Sequence, residues 1–349
     1  MNRSIRLLKY ILPTSSSILY YNNINNTISY NDKERMIVSD TYQANDPIED
    51  RVCILKQSSN QPLISAAIYD GHGGDIVADF ASKRLLPILI QTLNDQKHLN
   101  NDIIDECVLS TFNRIENEYI NGIKQSYDYG YGEVAKVGCC ALVAIVNDDK
   151  LTIANCGDCR AVLGSNVDGN FVSTRLSRDH NARMPLEKIN LQVMHPNESN
   201  IVVCKNPHAC YVKGRLQLTR ALGDLYLKYS EFNAPSGSPR VRGRHIPEPY
   251  TPPYVNPVPE ISHFDIESND KFIILATDGV WDFLSDDEAV KIVEACGTNR
   301  AQAAEALVNA TLERASIECG MTKSELMALP AGRKRRSRHD DTTAIVIYL

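Results

Sequence analysis

The chain has 349 residues, 43% of them hydrophobic and 23% charged, the profile of a globular protein with a core large enough to hold polar groups in place. Lys and Arg number 37 against 43 Asp and Glu, a net charge of −6, so no global basic field invites nucleic acid. No run approaches the ~18 apolar residues of a membrane span, so a soluble protein is expected. The ten scattered cysteines, in a chain of this size with no export signal, are expected as free thiols in a reducing compartment.

Residues 1–34 stand apart from the rest. No acid occurs before Asp32, while Arg3, Arg6 and Lys9 alternate with Ile5, Leu8 and Ile11, and Ser15 to Ser17 follow. This resembles a mitochondrial transit peptide; the other reading is a disordered Asn- and Ser-rich tail. From residue 35 a folded domain is expected to run to 349. Val52 to Leu55 reads as a short strand, and Leu63 to Tyr69 as a buried strand delivering Asp70-Gly71-His72-Gly73-Gly74. A short turn makes the two strands antiparallel, which sets Glu49 near Asp70. Taken alone, the Asp-Gly-His stretch reads equally well as a polar turn or as a site for metal-assisted acid/base chemistry.

Helices are expected over residues 75–93 and 102–124, the second with Ile104, Val108, Phe112, Ile115 and Tyr119 on one stripe. A meander of strands follows through residues 138–175, interrupted at Gly157-Asp158, and argues for antiparallel sheet. Cys156 and Cys159 form a CxxC with no second pair at zinc spacing and read as buried small residues. Residues 225–257 hold seven prolines without a clear period and read as a surface flap or a passive insertion. A strand over residues 271–276 leads into Thr277-Asp278-Gly279, and Ser285 with Glu288 spells a capping box. Another helix spans about residues 300–318. The basic run from Arg333 to Arg338 reads as an exposed loop whose charge suits acidic or phosphorylated partners, and His339-Asp340-Asp341 precedes a last apolar strand.

Asp70, Asp158, Asp278, Asp340 and Glu49 all stand at strand ends. Carboxylates gathered at one edge of a sheet resist ionising together, and a hard divalent cation resolves the conflict. All-oxygen ligation selects Mg2+ or Mn2+ over zinc. Two such ions activate a water toward phosphorus, and His72 is placed to protonate a leaving oxygen.

The stretches Glu49-Asp50-Arg51, Asp70 to Gly74, Asn155 to Arg160, Leu218 to Asp224, Ala276 to Asp282 and Asp340 to Thr343, in that order, resemble the metal-dependent serine/threonine phosphatases of the protein phosphatase 2C (PP2C) family. The resemblance implies an α+β fold, a four-layer α/β/β/α sandwich of two antiparallel sheets flanked by helices. It implies that Asp70 bridges two Mg2+ or Mn2+ ions, that Gly71 ligates one through its carbonyl, and that Asp278 and Asp340 ligate the other. Glu49 would act through water, Asp158 with Asp278 would hold a third, weaker ion, and His72 would be the general acid, with no phosphoenzyme.

The implied partner is a phosphorylated protein, met by a monomer or by a chain weakly associated with a larger complex. Residues 44–51, 176–182 and 250–254 look most like the pyruvate dehydrogenase phosphatase branch, which places the chain in the mitochondrial matrix; cytoplasm and nucleus are the alternatives. Asn45, where many members carry an arginine, marks the substrate-phosphate region, and that branch also has asparagine there. Cys159 and Asp341 replace a usual serine and asparagine, and the chain is shorter than that branch's enzymes. The competing classes are a catalytically inactive scaffold of the same fold and a two-metal nuclease.

Overall fold

The structure is a computed structural model that describes residues 35–57, 63–207, 209–233 and 245–349, together with the backbone of residues 28–31. Fourteen strands are present among them: β1 (Ile28–Asn31), β2 (Met36–Tyr42), β3 (Arg51–Gln57), β4 (Leu63–His72), β5 (Gly138–Asn147), β6 (Lys150–Cys156), β7 (Arg160–Val167), β8 (Asn170–Arg175), β9 (Val202–Asn206), β10 (Ala209–Val212), β11 (Leu222–Gly223), β12 (Glu260–Asp265), β13 (Asp270–Ala276) and β14 (Thr342–Tyr348). The helices are α1 (Ile76–Asn94), α2 (Asn101–Asp128), α3 (Pro185–Met194), α4 (Asp278–Trp281), α5 (Asp286–Ala295), α6 (Ala303–Glu318), α7 (Lys323–Ala328) and α8 (Arg333–Arg336).

The strands form two main antiparallel sheets, ordered β1-β2-β14-β13-β7-β8 and β12-β6-β5-β4-β3, with β11 paired to the start of β5. The pleat explains why their sequences are apolar throughout. In β13 and β14, Ile273, Leu275, Ile345 and Ile347 face the core between the sheets. Their alternating neighbours Ile274, Ala276, Ala344 and Val346 pack instead with Leu307, Val308 and Leu312 of α6. On the other sheet α1 packs against β3, β4 and β5, with α2 outside it. Four layers result, as the resemblance implied, because each sheet buries both faces.

Local chemistry agrees with these elements. Ser285 and Glu288 form the expected capping box at α5, and Asn100 caps α2 by accepting from the Ile103 amide at 2.9 Å. Among the described residues no helix is long and apolar enough to cross a membrane.

Three expectations are corrected. The flanks of the expected flap are core: Leu225, Leu227, Phe232, Ile246 and Tyr254 are buried, and the Tyr254 hydroxyl donates at 2.9 Å to Glu198, itself paired with Lys213 at 2.6 Å. Residues 234–244 of that stretch lie outside the described residues. The ten cysteines are not all free, because Cys204 and Cys210 form a disulfide across the β9–β10 hairpin, whose register sets them directly opposite one another. Cys156 and Cys159 are fully buried as expected. The basic run is not a loop throughout, since Arg333–Arg336 turns once as α8. The first sheet begins at Ile28, inside the stretch read as leader; residues 1–27 and 32–34 lie outside the described residues.

One buried ion pair fixes α2 to the loop behind the site. Glu116 accepts from Lys228 Nζ at 2.7 Å and from the Gly223 amide at 2.9 Å, with both charged side chains almost wholly out of water. Removing one partner strands the other charge in the core, a loss of roughly 3–5 kcal/mol. Glu116→Gln is expected to lower the thermal unfolding midpoint by several degrees in calorimetry; a midpoint within error of the parent would mean that the pair does not hold α2 in place.

Candidate active site

Strand register alone brings the acids together. Arg51 pairs with Tyr69, so Glu49 and Asp50, just before β3, lie beside Asp70 and Gly71 at the end of β4. The approach is close enough that a Cβ on Gly71 would stand 2.7 Å from the Glu49 carbonyl oxygen, which only glycine permits. In the facing sheet Ala276 pairs with both Ala344 and Arg160. Asp278, Asp340 and Asp158, each two to four residues beyond those positions, therefore emerge at the same end of the sandwich. β4 runs through Asp70 to His72, so Asp70 sits inside a strand rather than at its last residue.

Three further carboxylates hold the frame. Asp341 is buried and accepts from the amides of Ala44, Asn45 and Glu49, which pins the segment before β3 onto the segment before β14. Asp50 is buried and accepts from the hydroxyls of Thr343 at 2.6 Å and Thr277 at 3.2 Å, linking one sheet to the other. Asp158 accepts from Asn181 Nδ2 at 2.8 Å and from Cys140 Sγ at 3.3 Å. Asn45 turns both amide hydrogens inward, onto Asp340 at 2.9 Å and Asp341 at 3.0 Å. That leaves it positioning carboxylates, with no side-chain N–H for a phosphate.

The charges oppose one another strongly. Burial, then Asp50 and Asp278, hold the Asp70 carboxyl well above the usual carboxylate range. Burial, then Asp158, Asp340 and Asp282, do the same to Asp278. Burial also raises Asp340, and burial together with Asp340 and Asp341 pushes Glu49 up to about 7. Asp278 Oδ1 is buried with no hydrogen-bond donor. A carboxylate oxygen left bare among like charges takes either a proton or a hard cation, and the cation is the partner that leaves the carboxylate charged. Among the described residues no three Asp, Glu, His or Cys side chains already close on one point; a backbone carbonyl such as that of Gly71, and water, would complete any ligand shell.

Sequence reasoning missed Asp282, Asp341 and Asp224 as parts of this site. Asp282 follows Asp278 by one helical turn, so its charge acts on Asp278 and Asp158 acts on it; the i,i+4 spacing was the available signal. Beyond Asp282, a cavity of about 520 Å3 opens between Arg160, Arg175, Trp281 and Asp286. Asp224 had no sequence signal as a partner of His72, because 152 residues separate them.

His72 Nε2 lies 2.7 Å from Asp224 Oδ2. Gly138 makes room for the pair, since a Cβ there would stand 2.1 Å from that same carboxylate oxygen. Burial pushes the imidazole down, but the Asp224 charge and hydrogen bond more than offset it, and the net shift is upward. The pair's contribution to stability is thus fully present below the unfolded histidine pKa, about 6.5, and is lost as pH rises through the folded one. Asp224→Asn is expected to move the His72 ring titration, followed by NMR, to lower pH and to erase this gain in acid. A titration that stays in place would remove Asp224 as the cause.

With the geometry in place, comparison with known proteins is direct. Residues 36–320 match the family model described as Protein phosphatase 2C. A protein of Arabidopsis thaliana named "Probable protein phosphatase 2C 48" is 36% identical over 314 residues, 88% of this chain and 79% of that one. One of Oryza sativa subsp. japonica, named "Probable protein phosphatase 2C 36", is 35% identical over 312 residues, 88% and 77% of the two chains. Among solved structures, serine-threonine phosphatase 2C from Toxoplasma gondii superposes with a TM-score of 0.66 over 96% of this chain and 99% of that one, at 16% identity. The chain belongs to the protein phosphatase 2C family.

Proposed function

We propose that the chain is a metal-dependent protein serine/threonine phosphatase acting at the carboxylate-lined end of the sandwich. The observation that carries the reading is the convergence there of Asp70, Asp278 and Asp340, with a buried Asp278 oxygen that no donor satisfies. Mg2+ or Mn2+ held by Asp70, the Gly71 carbonyl, Asp278 and Asp340, with Glu49 and Asp158 beside them, would neutralise phosphoryl oxygens and acidify the attacking water.

The chain's own residues account for the rest of the hydrolysis. The phosphoryl group passes from a seryl or threonyl oxygen to water, so the P–O ester bond breaks and the departing oxygen needs a proton. His72 is the group to carry that proton, because Asp224, 2.7 Å from its Nε2, favours the protonated ring and fixes its orientation. Asp341 and Asn45 orient Asp340, while Asp50 ties together the two sheet ends from which the carboxylates project.

Purified full-length chain is expected to release phosphate from a phosphothreonine peptide with Mg2+ or Mn2+, to stop with chelator, and to lose at least about a hundredfold in kcat on Asp70→Asn. Metal-independent release, or full activity in Asp70→Asn, would sink the reading.

We also read the part of residues 1–34 that precedes β1 as a mitochondrial import signal and phosphorylated pyruvate dehydrogenase as the first substrate to try. The acid-free leader with Arg3, Arg6 and Lys9, and the stretches 44–51 and 250–254, support this reading. A tagged chain is expected in the matrix with a shortened N-terminus; an intact chain outside mitochondria would contradict it.

A further inference from the structure

The proposed chemistry of the site leaves a charge problem. A phosphoryl group carries up to two negative charges into a mouth lined by Asp70, Asp278, Asp340 and Asp282, where a protein cation would add to what the metal ions neutralise. Asn45 cannot serve, since both of its amide hydrogens are committed to Asp340 and Asp341.

The cation that reaches this mouth comes from α8. Arg335 anchors the turn: its guanidinium donates to the carbonyls of Gln43 and Leu329 and lies 5.0 Å over the Tyr42 ring. Gly332, just before the helix, donates to the Ala44 carbonyl at 2.7 Å, so α8 is fastened to the segment carrying Asn45. Arg336 then pairs with one of the acids, with Nη2 2.5 Å from Asp340 Oδ2 and the side chain still 50% exposed. Arg183 lies 3.9 Å from Asp282, a longer pairing than that of Arg336 with Asp340. A guanidinium has five N–H donors in a planar fork, so contact with Asp340 leaves donors facing solvent.

We propose that Arg336 is the phosphate-binding arginine of this chain, its solvent-facing N–H groups taking the non-bridging oxygens of the substrate phosphoryl group while Asp340 holds its position. The proposal rests on the phosphatase reading and adds a residue to it. The other role open to Arg336 is that of a counter-ion, neutralising Asp340 and touching no substrate.

Full-length chain with Mg2+ separates the two roles. The variants are Arg336→Gln and Arg336→Lys. The readouts are kcat and KM for a phosphothreonine peptide and for p-nitrophenyl phosphate, the inhibition constant of inorganic phosphate, the Mg2+ dissociation constant by calorimetry, and the unfolding midpoint. Arg336→Gln is expected to raise KM for both substrates and the phosphate inhibition constant together, by about tenfold, the loss of one charge-assisted contact. The three should move alike because the phosphoryl group is all that the ligands share. In the same variant kcat should fall less than about threefold and Mg2+ affinity should hold or tighten, and Arg336→Lys should recover part of the loss.

Unchanged KM and phosphate inhibition in an active Arg336→Gln enzyme overturn the proposal, as does a change confined to Mg2+ affinity or the unfolding midpoint. If the parent chain cleaves neither substrate with any divalent metal, the phosphatase reading falls, and this proposal falls with it.

Discussion

Mutual repulsion among carboxylates is the constraint on which the rest of this structure depends. Asp70, Asp278, Asp340, Asp282 and Glu49 are held at one end of the sandwich, and burial with neighbouring charge raises them all. Left to itself, such a cluster would push its strands apart or neutralise by protonation. Hydrogen bonds that cross between elements oppose this. Asp341 gathers three backbone amides, and Asp50 gathers two threonine hydroxyls from the facing sheet. The acids that could be satisfied by protein donors are satisfied, and they frame those that are not.

The same logic extends outward from the site. Arg160 is buried between Asp179 at 2.6 Å and Asp286 at 2.8 Å and stacks 5.0 Å from the Trp281 ring, behind the turn that carries Asp278. Lys228 with Glu116, and Lys213 with Glu198, close off the loops between β10 and β12. Buried pairs of this kind add little net stability, but each is costly to break, so they specify where a loop must sit. The geometry of the site follows from that rigidity: His72 meets Asp224 where the loop holding Asp224 is fixed to α2.

Much of this was legible before any coordinates. The apolar runs at residues 63–69 and 271–276 and the capping box at Ser285 are local signals, and the elements formed where those signals lay. The nearness of Glu49 to Asp70 followed from a short turn between two strands, since antiparallel pairing is then the simplest solution. The prolines of 225–257 misled. Lack of period suggests exposure there, whereas Leu225, Leu227 and Tyr254 fill the core. The cysteines misled as well, because the opposition of Cys204 and Cys210 depends on hairpin register and not on spacing.

What the sequence determined by itself was most of the acids, their position at or near strand ends, and the antiparallel run of strands that would carry them. These are properties of short segments, where period, turn chemistry and charge act over a few residues. Tertiary structure alone decided which of those acids would be satisfied and which left bare, and that Asn45 would face inward onto Asp340 and Asp341. Those outcomes depend on contacts between segments up to about three hundred residues apart, such as Asn45 with Asp340 at a separation of 295. No local pattern encodes them, because each is fixed by how the two sheets and their loops pack together.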